Sequence, residues 1–144
     1  MLSRVATAAT PSLRRAALST NAVRWASTLV VSEPLTEDGA TPAATLSTAT
    51  AAQKLGNAEI DLLVVGDTAP TGIPAGIHKV YHVPIGDKLS ESVANAVQQL
   101  ATDKDCSVVV GTSTKFGSTV IPRAAAQLDV SPVTDILEIQ DESA

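Results

Sequence analysis

The residues with most capacity for chemistry lie together at positions 111–119, where Gly111 and Gly117 bracket Thr112, Ser113, Thr114, Lys115 and Phe116, and Ser118 and Thr119 follow. Hydroxyls and glycines between an apolar run and a helix can hold an anion or a partner's polar group, because the first N–H groups of the helix have no intrahelical acceptor. Gly111, Ser113, Gly117 and Ser118 are the candidate binding residues, with Arg123 a little further into the helix. A Walker-type phosphate loop carries four residues between its glycines and then Lys-Ser/Thr. Here five intervene and Ser118 follows Gly117, which argues against a nucleotide triphosphatase. The plainer reading is a turn that only caps its helix.

Other chemistry-bearing residues are sparse. Arg123 opposes the helix dipole unless it pairs, so it is expected either to meet an acid of this chain or a partner's group, or to lie solvated. His78 and His82 share one side of a strand-like run without a third ligand, so no metal site is expected. Ser113 stands in no nucleophile elbow, and no His or acid is spaced to complete a triad. The single cysteine, Cys106, reads as a small buried hydrophobe. These residues supply no catalytic set.

The elements that must position them alternate. Val108, Val109 and Val110 form a β-branched run without polar alternation, as in a strand covered on both faces, and this strand is expected to be central. The helix after it repeats Val120, Ala124 and Leu128 every four residues, and Pro122, cheapest near a helix start, points to Ser118 or Thr119 as the N-cap. Upstream, the pattern predicts strands over 28–33, 60–65 and 78–84, with Val80 and Tyr81 on opposite faces. It predicts helices over 43–55, closed by Gly56, and over 91–102, capped by Ser90. Residues 68–77, with two prolines and two glycines, allow at most one helical turn. Residues 133–140 alternate as an uncovered edge strand. The sum is an α/β fold with an open, mostly parallel, doubly wound sheet.

Composition sets the compartment. Aromatic residues make up 2% of the chain against 44% hydrophobic, which argues against a base-stacking platform, and no nucleic-acid partner is expected. Arg4, Arg14, Arg15 and Arg24 precede the first acidic residue, Glu33, whereas the rest carries six basic against fifteen acidic residues. A basic, acid-free leader over 1–26 reads as a mitochondrial transit peptide, cleaved near Trp25 to Ser27, with the domain occupying 27–144. No stretch reaches the roughly 20 apolar residues of a membrane span, so a mitochondrial-matrix protein is expected.

The segment from Val108 to Ile136 resembles the α subunit of electron transfer flavoproteins in its N-terminal domain. Gly111, Ser113, Phe116, Gly117, Pro122, Arg123, Ala125, Ala126, Leu128, Asp135 and Ile136 carry the likeness, and Thr45 to Gly56 is similar to that family's first helix. It weakens over 68–77, where the family has a full helix. The resemblance implies a sheet similar to adenine nucleotide α-hydrolases, incomplete at its C-terminal edge. It also implies a heterodimer with a β subunit, accepting electrons from acyl-CoA and related dehydrogenases and passing them to a membrane quinone reductase. FAD would lie in a C-terminal domain that this chain, whether a fragment, a mis-ended gene model or a shortened paralogue, is expected to lack, and AMP in the β partner, leaving this chain as scaffold and β-subunit contact with no cofactor of its own. The alternative is a stand-alone adenine-nucleotide-binding module using the 111–119 loop.

Overall fold

The computed structural model describes residues 27–57, 59–86 and 89–140; the leader read over 1–26 lies outside them. In chain order the elements are β1 (Ser27–Val31), α1 (Ala43–Gln53), β2 (Glu59–Val65), β3 (Lys79–Val83), α2 (Ser90–Asp103), β4 (Val108–Gly111) and α3 (Gly117–Gln127). The four strands pair in parallel in the order β3-β2-β1-β4. The chain builds outward from β1 through β2 to β3, then crosses back to place β4 on the other side of β1. That reversal is a topological switch point, where the carboxyl ends of β1 and β4 part to leave a crevice.

Both faces of the sheet are covered, as in a doubly wound fold. On one face Leu29, Val31, Leu63 and Val65 pack with Val93, Ala94, Val97 and Ala101 of α2 and with Val120 and Ala124 of α3. On the other face Val30, Ile60, Leu62 and Val64 meet Ala52 of α1, with Leu35, Ile77 and Val80 alongside. Strand residues point alternately to the two faces, so the unbroken apolar run of β2 is what two covered faces require. Tyr81 packs on the first cluster and Val80 on the second, as the alternation predicts. The α1 helix is rich in Ala and Thr and buries Thr45, Ala49 and Ala52. Its Ser47, Thr48 and Thr50 hydroxyls donate to carbonyls four residues back. Gly56, at φ +69°, ends the turn after α1 in the left-handed region that a glycine enters without cost.

Four expectations are corrected. The strand at Val108–Gly111 is not central: among the described residues it pairs with β1 alone, and its residues are half-buried. An apolar run reports that faces are covered and says nothing about whether both edges are paired. Residues 133–140 form no strand, and Val133, Ile136 and Leu137 are exposed. Asp135 sits there at φ +57°, a left-handed conformation outside the β region of a regular strand. The α3 helix opens at Gly117 with Phe116 as N-cap, not at Ser118 or Thr119, and Pro122 lies inside it. The Ser118 and Thr119 hydroxyls donate backwards to the Lys115 carbonyl, so they extend the turn upstream instead of capping. Ser90, read as a cap, is the first residue of α2.

Candidate functional site

The parallel register sets Val31 opposite Gly111, so the residues just beyond each strand meet in the switch-point crevice. Glu33 follows β1, and Thr112 and Thr114 follow β4. The hydroxyl of Thr112 donates to Glu33 Oε1 at 3.2 Å, and that of Thr114 donates to the same oxygen. The two threonine hydroxyls also lie 2.9 Å apart. Behind them, the Glu33 backbone N–H donates to Thr45 Oγ1 at 3.1 Å, which anchors the carboxylate's segment to the start of α1. Ser32, fully buried, donates to the Glu33 carbonyl at 2.7 Å. The crevice is thus filled by the chain's own carboxylate.

The candidate residues divide by role. Gly117 is buried, and a Cβ there would overlap the Thr112 carbonyl oxygen, so glycine is required for close backbone packing. Gly111 presses against α3 in the same way, its missing Cβ lying 2.5 Å from Ile121 Cγ1. Ser113 is exposed in the turn. Ser118 is exposed, and its hydroxyl donates to the Lys115 carbonyl at 3.1 Å. Arg123 finds an acid of this chain: its Nη1 donates to Glu91 Oε1 at 2.8 Å, tying α3 to α2. The structure therefore joins Gly111 and Gly117 to the crevice as packing positions and directs Ser118 and Arg123 to other contacts. Because both ends of the Arg123–Glu91 pair are exposed, Arg123→Ala should cost less than about 1 kcal/mol, and a double-mutant cycle with Glu91→Ala should find a coupling of the same size.

Glu33 is the residue that sequence reasoning missed. It stands 79 positions from Thr112, and the one signal that could have found it is strand order, since the first polar residues beyond two neighbouring parallel strands must meet. Glu33→Ala should leave one of the two threonine hydroxyls, Thr112 or Thr114, short of an acceptor and lower stability by about 1–3 kcal/mol, whereas Glu33→Gln keeps an acceptor oxygen and should cost less; thermal melts of the two variants check this.

The remaining polar groups do not assemble into chemistry. His78 Nδ1 lies 3.5 Å from Asp61 Oδ1, whereas His82 Nε2 meets the Gly66 carbonyl at 2.6 Å, so the two histidines have separate partners. Among the described residues no group of three His, Cys, Asp or Glu is placed to hold a metal ion. Burial pushes the Cys106 thiol up in pKa; a hydrogen bond with Ser27 opposes this and the Asp61 charge adds to it, so the thiolate is scarce at neutral pH. An open cleft of about 290 Å³ beside the crevice is lined by Leu35, Thr36, Glu37, Gly66, Asp67 and Thr68. Its two acidic side chains and the Glu33 carboxylate would repel a phosphate.

Fold and site together define a doubly wound α/β domain whose switch-point crevice is closed from within. The electron transfer flavoprotein domain family matches residues 28–144. A probable mitochondrial electron transfer flavoprotein subunit alpha of Caenorhabditis elegans is 37% identical over 136 residues, covering 88% of this chain and 40% of the relative. The mitochondrial alpha subunit of Arabidopsis thaliana is 34% identical over 132 residues, covering 83% and 36% respectively. The alpha subunit of Pseudomonas aeruginosa is 34% identical over 119 residues, covering 77% and 37%. The chain belongs to the electron transfer flavoprotein family and corresponds to the N-terminal domain of its α subunit. It spans about two fifths of the length of these curated relatives.

Proposed function

We propose that this chain is the scaffold and partner-contact domain of an electron transfer flavoprotein α subunit, working in the mitochondrial matrix in a heterodimer with a β subunit. The intact assembly would accept electrons from acyl-CoA and related dehydrogenases and pass them to a membrane quinone reductase. Relatives named mitochondrial, and a family match that opens at Thr28 just beyond the basic leader, support the compartment. Among the described residues no helix is long and apolar enough to cross a membrane.

The family's flavin does not fit the residues described here. A dinucleotide at a switch point needs a glycine-rich turn open to a pyrophosphate. In this chain Gly111 and Gly117 are consumed by packing, and Glu33 occupies the crevice. The observation that carries the reading is that carboxylate, which also opposes a stand-alone nucleotide-binding module. The purified chain is therefore expected to be colourless and to give no calorimetric heat with AMP or FAD. A yellow preparation with stoichiometric flavin, or saturable AMP binding, would refute this division of labour.

A further inference from the structure

The Glu33 carboxylate sits in the crevice as a ligand on a tether. One of its oxygens accepts from two hydroxyls that stand beyond a different strand, Thr112 at 3.2 Å and Thr114, the two lying 2.9 Å from each other. Thr112 is buried and packed against Gly117, and the Gly117 N–H donates to Thr114 Oγ1 at 3.4 Å, so the turn positions both hydroxyls independently of the carboxylate.

The backbone that delivers the carboxylate is held as firmly. Ser32 N–H donates to the Leu63 carbonyl at 2.9 Å, Glu33 N–H to Thr45 Oγ1 at 3.1 Å, and the Ser32 hydroxyl to the Glu33 carbonyl at 2.7 Å. Cutting back the side chain therefore removes the occupant while both walls stay anchored, and a site that collapses little keeps its cavity. Glu33 is half-buried, so the place it fills is reached from solvent.

What such a cavity selects follows from its lining. Two hydroxyl donors converge on one acceptor oxygen, and bonds to an ionised acceptor are the strong ones. Glu37 and Asp67 of the neighbouring cleft oppose any further negative charge, which favours a singly charged carboxylate over phosphate. We infer that the switch-point crevice is a carboxylate-binding site plugged by the chain's own Glu33, and that a small carboxylic acid anion takes its place when the Glu33 side chain is removed. The tether gives the plug an effective concentration that a free acid does not match, so the unaltered chain binds none. The inference rests on the crevice being closed in the unaltered chain, as proposed above; its failure would leave the expected AMP and FAD results for that chain untouched.

Thermal melts of the full chain in acetate, phosphate or chloride at matched ionic strength test this. Acetate at roughly ten times its dissociation constant should raise the melting temperature of Glu33→Ala by about 6 °C over chloride. The unaltered chain and Glu33→Gln, whose crevices stay filled, should melt alike in the two salts. Phosphate should rescue Glu33→Ala less than acetate does, and adding Thr114→Val should abolish the rescue. Glu33→Ser, expected to respond in the same direction, carries the comparison should Glu33→Ala fail to fold. No acetate response in the truncated variants, an equal response in the unaltered chain, or a rescue that survives Thr114→Val would overturn the inference. A larger rescue by phosphate would overturn the carboxylate assignment.

Discussion

Replacing Gly117 with alanine is expected to destabilise the domain by about 3 kcal/mol or more, near the upper end of overpacking costs. The added Cβ would overlap the Thr112 carbonyl oxygen, and a backbone atom cannot turn aside as a side-chain end can. Relief requires α3 to back away from the end of β4, which opens the Thr112 and Thr114 contacts to Glu33 and loosens Val120 and Ala124 in the core. At roughly 4 °C per kcal/mol for a domain of this size, the melting temperature should fall by about 12 °C. Gly86→Ala provides the contrast, because nothing lies within 4 Å of the Cβ it would add, and its melting temperature should stay close to that of the unaltered chain. A Gly117→Ala protein as stable as Gly86→Ala would mean that the turn does not hold helix and strand together.

Truncating Leu63 should cost as much from the opposite cause. Leu63 is fully buried at the middle of the sheet, on the face where α2 and α3 converge. Leu63→Ala removes the methyl groups of that contact and leaves a cavity that β-branched and alanine neighbours, held by the strand ladder, cannot fill; the expected loss is about 2–5 kcal/mol. Leu63→Met, which conserves volume, should cost less than about 1.5 kcal/mol. Against a net stability of roughly 5–15 kcal/mol the alanine variant removes a large share, and denaturant unfolding should show an earlier midpoint with an unchanged slope.

The sequence made the elements legible because their local physics is self-contained. The β2 run needs two covered faces, the α2 stripe of Val93, Val97 and Ala101 needs a core, and Gly56 needs a place to enter the left-handed region. What lay beyond it was the relation between elements. Three valines in β4 look alike whether the strand is central or outer, since side-chain hydrophobicity reports faces and the edges belong to the backbone. For the same reason 133–140 alternates like a strand yet stands unpaired, with Asp135 at φ +57°. Pro122 misled in the other direction: its preference for a helix start is worth little once Thr112, Thr114 and Gly117 fix the turn further upstream. The candidate site was half legible. The glycines and hydroxyls of the loop were visible, but the carboxylate that occupies them comes from the far end of another strand.

As proposed above, this chain contributes scaffold and partner contact to an electron transfer flavoprotein without holding its flavin. The most direct test is size-exclusion chromatography of the purified chain mixed with the family's β subunit, following protein and flavin absorbance together. Co-elution as a complex is expected, with no flavin absorbance travelling with this chain. Separate elution of the two proteins, or a flavin band that follows this chain alone, would contradict it.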